Sequence, residues 1–201
     1  MQMALLVSDK ILVSEEEILW QAFKAGDRNA FSQLLKTYYP ILLSYGVRFQ
    51  QEKDYVKDCL HDFFVELWNR RENLDDVQCL KAYLLQSFRR RILREKSKDK
   101  WFREIADLDQ EYCFEVQFNI ETYLIENEVK HEHLQKLHTY LKKLSKREQE
   151  VIYLRFYEEL DYAKIADIMS IKNHSAVNLV HEALKHLRNH WFLVVFASLF
   201  N

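Results

Sequence analysis

The side chains whose types and spacing most clearly indicate a binding function form a basic block in the middle of the chain. Between Arg89 and Arg103 the sequence has eight Lys and Arg against Glu95 and Asp99, a local net charge of +6. Aromatic residues flank or enter this block, namely Tyr83, Phe88, Trp101 and Phe102. Cations hold a phosphate backbone and rings stack on unpaired bases, so this composition is typical of a single-strand nucleic-acid binder. The alternative is a basic surface helix whose aromatic residues belong to the core.

The basic residues cannot all face one partner if they lie on a helix. At roughly 100° per residue, the run Arg89–Arg91 spreads around most of the circumference. Arg90, Arg94 and Lys98 share one face at i, i+4 and i+8. The candidate nucleic-acid contacts of this segment are Tyr83, Arg89, Arg90, Arg91, Arg94, Lys96 and Lys98.

A stripe of like charge lies on the predicted helix before the block. Asp58, Asp62 and Glu66 repeat at i, i+4 and i+8, and such pairs each cost a helix a few tenths of a kcal/mol. We call these three residues the acidic stripe. By itself the pattern favours a solvated face. The functional alternative is a docking face for an Arg-rich partner surface.

Residues 145–188 have the pattern of a helix-turn-helix. Ser145 and Glu148 form a capping box, and Asp161 is a second N-cap candidate. The first of the three helices is expected to bury Val151, Ile152, Leu154 and Phe156, and the second Ile165, Ala166, Ile168 and Met169. After the polar break 170–173, the third is expected to turn inward Ala176, Val180, Ala183, Leu184 and Leu187.

A supporting helix, a tight turn and a projecting helix are what a major-groove reader requires. The alternative is a three-helix bundle that recognises nothing. The candidate DNA contacts, near the start of the last helix and along it, are Lys172, Asn173, His174, Ser175, Asn178 and Lys185. Formal cations are few here, so we expect weak contact or an unusual DNA element.

The sequence has no recognisable catalytic or metal-binding motif. The run His131–His133 lacks the i,i+4 histidine pair of a zinc protease, because position 135 is Gln. His186 and His190 have that spacing but no nearby carboxylate or thiol as a third ligand, so a solvated pair is expected. Two isolated glycines exclude a Gly-rich phosphate loop. We expect no catalytic residues, no metal, no cofactor and no enzyme activity.

The composition of the 201 residues indicates an all-α protein. Two glycines and one proline leave few tight turns, while 48% of the residues are hydrophobic and 30% charged. Three cysteines without metal-ligand spacing suit a reducing, cytoplasmic location. The apolar run at residues 3–7 is too short for a signal peptide, and Trp191–Phe200 is half the length of a spanning helix. No membrane span is therefore expected.

Two helical domains are predicted. The first covers residues 1–98, with a capping box at Ser14 and Glu17, a turn at Ala25–Asp27, a helix from near Asp54 and another from about Gln78 to Lys98. Residues 104–128 contain eight acidic residues and no Lys or Arg, so 99–120 is interpreted as an acidic linker. The second domain covers residues 121–201 and ends in an apolar tail.

The two halves together resemble a bacterial RNA polymerase sigma factor of the extracytoplasmic-function group of the sigma-70 family. AGDRNAFSQLLKTYYP, DCLHDFFVELW and LKAYLLQSFRRRILREK are similar to its first conserved domain, region 2. LSKREQEVIYLRFYEELDYAKIADIM is similar to its last domain, region 4. The resemblance covers about residues 15–98 and 125–190. The apolar tail and the amino-acid sequence of the first domain resemble those of the Bacteroidetes-type members.

The resemblance implies a function in transcription initiation. The chain would bind core RNA polymerase at its clamp and flap, with Asp58, His61, Asp62 and Glu66 at clamp-facing positions. The helix from Tyr83 to Lys98 would recognise and melt the −10 promoter element, where family members capture a flipped base. The last helix would contact the −35 element. The acidic linker would thread toward the active-site channel of the polymerase. An anti-sigma factor is a further partner that the resemblance makes possible.

The sequence departs from the family pattern at several of these positions. His61 replaces a usual Gln, Tyr83 a usual Trp and Arg90 a usual Asn, and Val177, Leu179 and Glu182 stand where basic residues are common. Two alternatives therefore stay open. One is a helix-turn-helix regulator, although residues 1–98 lack the βα alternation of a receiver domain. The other is a sigma-derived interaction protein without promoter reading.

Overall fold

A computed structural model describes residues 15–98, 113–115 and 139–199 of the chain. Side chains are described through residue 95 in the first range and through residue 188 in the last. The chain divides into two compact units, Met1–Ile105 and Ala106–Asn201. Within the described ranges every regular element is helical. The predicted all-α architecture of two helical domains is confirmed for these ranges.

Residues 15–98 of the first unit form four α-helices. Helix α1 is described over 15–24, and α2 (Arg28–Gly46), α3 (Lys53–Asn69) and α4 (Leu80–Lys98) follow, with a 3-10 turn at Arg71–Asn73. The predicted turn before α2 is present: Gly26 has φ +87°, and the Asp27 carboxylate accepts from the amide of Asn29 at 2.7 Å. The predicted capping residue Ser14 lies outside the described residues.

Aromatic side chains fill the core of the first unit. Trp20 and Phe23 stack with ring centroids 5.2 Å apart, and Phe23 also packs against Trp68 of α3. The indole N–H of Trp20 donates to the carbonyl of Asp75 at 3.1 Å, which ties α1 to the segment before α4. Burial of large rings stabilises a small domain efficiently, and this core holds α3 and α4 side by side.

At Gly46, α2 comes close to both α3 and α4. A Cβ atom placed on it would lie 2.6 Å from Val56 Cγ1 on α3 and 2.8 Å from Phe88 Cε1 on α4. We predict that Gly46→Ala destabilises the first unit by about 1–3 kcal/mol, because overpacking outweighs the better helix propensity of Ala. Hydrogen exchange of the α4 amides would measure this, with the exposed Lys36→Ala as control. Unchanged exchange in Gly46→Ala would contradict the packing described.

The second unit is built around one long helix. Helix α5 is described over 139–143, and α6 (Lys146–Ile152), a π-helical turn (Tyr153–Tyr157), α7 (Tyr162–Met169) and α8 (Asn173–Leu199) follow. Both α6 and α7 pack against α8. Across the described ranges, none of the helices has the length and apolar character that a membrane crossing needs.

Two predicted core residues of this unit prove to be exposed. Phe156 is 57% exposed because the chain widens into the π turn, where the amide of Glu158 bonds the carbonyl of Tyr153 and changes the helical register. Leu184 is 42% exposed, since the buried side of α8 follows Ala176, Val180 and Ala183. The predictions for these two residues were wrong, whereas Val151, Ile152 and Leu154 are buried as expected.

Part of the predicted linker packs on the second unit. Phe114 is fully buried, with its ring centroid 5.9 Å from that of Tyr153. Next to it, a Glu115 carboxylate oxygen lies 3.6 Å from Lys146 Nζ. Residues 113–115 therefore act as an anchor on this unit. The rest of the 99–120 segment lies outside the described residues.

Candidate nucleic-acid interface

A cavity of about 260 Å³ opens between α3 and α4 of the first unit. Its walls combine apolar, hydroxyl and guanidinium groups, and they are formed by Phe63, Glu66, Leu67, Arg70, Leu74, Tyr83, Ser87, Arg90, Arg91 and Arg94. Four of the predicted nucleic-acid contacts thus lie at one site. The volume falls just below the ~300–1,000 Å³ of drug-sized ligand pockets, which suits a single flat group such as one nucleobase.

Tyr83 forms an aromatic wall of this cavity on α4, and Phe63 lines it from α3. The Tyr83 ring is half-buried and meets Trp20 edge to face, with centroids 5.5 Å apart. Burial raises the pKa of the Tyr83 phenol, which a hydrogen bond with Ser87 partly opposes. The phenol is therefore neutral at physiological pH. A neutral ring held by its neighbours is suited to stacking against an unpaired base.

The predicted cations of α4 occupy different environments. Arg90 is exposed at the rim of the cavity, and the Arg94 side chain is 57% exposed, with Nη2 3.8 Å from Glu95 Oε1. Arg89 is only 8% exposed, and this burial counts against a direct DNA contact. Lys96 and Lys98 belong to α4, but their side chains are outside the described residues. Among the predicted contacts of α4 whose side chains are described, Arg90 and Arg94 are thus the cations best placed to meet a phosphate.

Arg91 lines the same cavity but pairs with the acidic stripe of α3. Its Nη1 lies 2.5 Å from Glu66 Oε2, and its Nη2 lies 3.4 Å from Asp62 Oδ2. In the sequence, the stripe and the basic helix are separate features. The structure makes them neighbours, with Glu66 lining the cavity.

The outer part of the acidic stripe stays open to solvent. Asp58 and His61 are exposed, and the Asp62 side chain is 67% exposed. Three of the four predicted polymerase-binding residues therefore form an accessible polar surface on α3. Glu66 differs, because it is half-buried and paired with Arg70 and Arg91.

The second unit contains the predicted turn between α7 and α8. The Asp161 carboxylate caps α7 by accepting from the amide of Lys164 at 2.9 Å. Helix α7 ends at Ser170 in the left-handed conformation (φ 56°), and the amide of Ile171 bonds the carbonyl of Ala166 at 2.9 Å. This Schellman-type ending sends the chain directly into α8.

The predicted DNA contacts of the second unit lie on the outer side of α8 and at its start. Five are exposed and Ser175 is half-buried; the exposed ones are Lys172, Asn173, His174, Asn178 and Lys185. Lys185 Nζ lies 3.6 Å from Glu182 Oε2, which offsets one of the few cations of this face. The surface is accessible but only weakly basic, and the N-terminus of α8 adds its own attraction for phosphate.

The predicted capping box is present and includes a histidine that the sequence pattern does not reveal. Glu148 Oε2 accepts from the amide of Ser145 at 2.8 Å, and Ser145 Oγ accepts from the amide of Glu148. Glu148 Oε1 lies 2.7 Å from His186 Nδ1 of α8. The expectation that His186 has no carboxylate nearby was wrong, because Glu148 is 38 residues away in sequence and adjacent only in the fold.

This cluster predicts a pH-dependent stability of α6. Burial would raise the pKa of Glu148, but hydrogen bonds from Ser145 and the charge and hydrogen bond of His186 lower it below its ordinary value. A lowered pKa contributes stability above the unfolded value of about 4.3, lost as pH falls through the folded one. Glu148→Gln should therefore reduce protection of the α6 amides about tenfold at pH 7, and the difference should be smaller at pH 3. An equal difference at both pH values would contradict this.

Sequence reasoning missed five residues that line the cavity, namely Phe63, Leu67, Arg70, Leu74 and Ser87. Ser87 stands four residues after Tyr83 and shares its helix face, a signal that was available. Arg70 and Leu74 come from the end of α3 and the segment after it, and only the packing of α3 on α4 brings them to the site. His131 and His133 lie outside the described residues. Among the described residues, no three His, Cys, Asp or Glu side chains cluster as metal ligands would.

Comparison with known protein families finds a match in each of the two units. Residues 34–102 match the family described as Sigma-70 region 2, and residues 140–189 match Sigma-70, region 4, so the two matches together span more than half of the chain. No curated protein matches the chain.

Solved structures with a similar fold include two complexes. One is the sigma factor RpoE in complex with the anti-sigma factor NepR from Bartonella quintana, with 21% identity, TM-score 0.56, and coverage of 80% of this chain and 96% of that chain. The other is CnrH in complex with the cytosolic domain of CnrY, with 18% identity, TM-score 0.56, and coverage of 86% and 94%. The cavity and the turn before α8 lie within the two matched regions. The chain therefore belongs to the sigma-70 family of RNA polymerase sigma factors, as the resemblance of its sequence predicts.

Proposed function

We propose that this sigma factor directs promoter-specific initiation by melting the −10 element at the cavity of the first unit. The observation that carries the proposal is the convergence of Tyr83, Arg90 and Arg94 on one cavity of about 260 Å³. One unpaired base would stack on Tyr83 while the two arginines bind the flanking phosphates. Such a stack contributes about 1–3 kcal/mol per base, which offsets the few kcal/mol that unstacking costs.

The start of α8 supports a second, weaker promoter contact at the −35 element. Asn173, His174 and Asn178 are exposed polar side chains that could donate to or accept from base edges in a major groove. The face has few cations, and Glu182 offsets Lys185. Non-specific attraction to the phosphate backbone scales with the number of such cations. We therefore assign most of the DNA affinity to the first unit.

The exposed surface of α3 supports the contact with core RNA polymerase. Asp58, His61 and Asp62 form an acidic, hydrated surface that complements a basic partner. An anti-sigma factor is a second partner in this proposal, because the structure of similar fold from Bartonella quintana is a complex with one. The protein is proposed to act in the cytoplasm with these partners and without a catalytic step of its own. The Bacteroidetes-type assignment stays a prediction.

Transcription by a reconstituted holoenzyme tests the proposed function. The purified chain would be added to core polymerase and supplied with a library of genomic DNA fragments. The expected result is a set of transcripts that start at defined sites and depend on the added chain. Polymerase binding without any promoter-specific transcript would refute the proposal and favour a sigma-derived interaction protein, a reading that the weakly basic α8 face also supports.

A further inference from the structure

Arg91 is the least accessible of the cations that line the cavity. Its side chain is 13% exposed, compared with 57% for Arg94 and 66% for Arg70. Its two terminal nitrogens already bind carboxylates, at 2.5 Å on Glu66 and 3.4 Å on Asp62. A phosphate could be bound only after Arg91 released these two carboxylates, whose negative charges would then lie beside the phosphate and repel it. The position of Arg91 is therefore poorly suited to a DNA contact.

Glu66 is correspondingly poorly suited to a polymerase contact. One of its oxygens meets Arg91 of α4, and the other lies 3.3 Å from Arg70 at the end of α3. These two arginines hold the carboxylate from both sides, and all three residues line the cavity. The charge that Glu66 would offer to a partner is already compensated within the domain.

We propose that Arg91 and Glu66 are a positioning pair that sets the width of the cavity. The pair joins residues 25 positions apart and ties α4 to α3 beside Phe63, so it fixes the distance between the Tyr83 wall and the α3 wall. Arg91 then acts on the captured base through the shape of the cavity and makes no phosphate contact. This inference rests on the proposed function of the cavity, and it moves Glu66 from the polymerase surface to the DNA site.

The salt dependence of DNA binding distinguishes a positioning residue from a residue that binds phosphate. A plot of log K against log salt has a negative slope. Removing one cation that binds a phosphate reduces the magnitude of this slope by about 0.7 for single strands. Reconstituted holoenzyme would be titrated with a single-stranded −10 oligonucleotide at several salt concentrations. Arg91→Gln should weaken binding about tenfold with an unchanged slope, whereas the control Arg90→Gln should reduce the magnitude of the slope by about 0.7.

Conservative variants provide a second readout. A phosphate contact tolerates Lys, but the fork that binds Glu66 and Asp62 together requires the planar guanidinium. Arg91→Lys should therefore impair binding nearly as much as Arg91→Gln, while Arg90→Lys should keep most of the affinity. Glu66→Gln should weaken DNA binding and leave polymerase affinity unchanged, in contrast to Asp58→Asn. Hydrogen exchange of the α3 and α4 amides would verify that each variant is folded.

Several results would overturn the positioning pair. These are a slope reduced by about 0.7 in Arg91→Gln, full affinity in Arg91→Lys, no effect of Arg91→Gln at all, or loss of polymerase affinity in Glu66→Gln. A different set of binding results is expected if the proposed function itself is wrong. In that case Arg90→Gln also leaves binding of the oligonucleotide unchanged, so the cavity itself is not the DNA site.

Discussion

Reversing the charges of Asp58 and Asp62 is expected to abolish binding to core RNA polymerase. Both residues are exposed on α3. Two lysines in their place would face a partner surface that we propose to be basic, and juxtaposed like charges cost several kcal/mol. We therefore expect Asp58→Lys with Asp62→Lys to reduce the affinity at least about a hundredfold. Fluorescence titration of labelled protein with core polymerase would measure this.

A matched control separates the docking surface from net charge. Glu72 and Asp75 are exposed acidic residues of the same unit, near the 3-10 turn. Glu72→Lys with Asp75→Lys changes the net charge equally and should leave the affinity within about twofold, as expected for substitutions outside an interface. The fold should survive the test reversal, because Glu66 still binds Arg91. If the reversal binds polymerase as the native chain does, the docking surface is assigned wrongly.

Reversing the charges of Arg90 and Arg94 is expected to impair promoter opening and to leave polymerase binding intact. Both guanidinium groups are exposed at the cavity, and glutamates in their place would repel the phosphates of the melted strand. We expect Arg90→Glu with Arg94→Glu to lower open-complex formation about a hundredfold or more, while polymerase affinity stays unchanged. Permanganate reactivity of unpaired thymines in the −10 region would report the opening.

The control for this pair lies on α2. Arg28 and Lys36 are exposed cations of the same unit that do not line the cavity. Arg28→Glu with Lys36→Glu changes the net charge by the same amount and should open promoters at a rate close to native. Equal losses in both double variants would mean that general electrostatic attraction accounts for the effect, and the cavity would have no special role.

Local features of the fold were predictable because they depend on neighbours in the sequence. The capping box at Ser145 and the N-caps at Asp27 and Asp161 form as expected from the sequence, and α4 begins two residues after its predicted start. Each cap needs only a polar side chain within three residues of a free amide. Phe156 was predicted wrongly because a π turn interrupts the helix, and the regular 3.6-residue period does not anticipate it.

The candidate site was only partly predictable because its key contacts join distant residues. The basic face of α4 and the acidic stripe of α3 were both identified from helical spacing. Their ion pairs, Arg91 with Glu66 and with Asp62, bridge 25 and 29 residues and depend on how α3 and α4 pack. The contact of His186 with Glu148 has the same origin. A periodic pattern identifies a face of a helix but not the element that covers it.

The capture of one base by the cavity is the central claim, and it can be measured directly. Reconstituted holoenzyme would be titrated with a series of −10 oligonucleotides in which each position in turn is abasic. We predict that one position stands out, with affinity reduced about tenfold to a hundredfold, because stacking on an aromatic residue contributes about 1–3 kcal/mol. Replacing Tyr83 by Ala should erase that difference. Equal affinity for the abasic oligonucleotides at all positions would contradict the central claim.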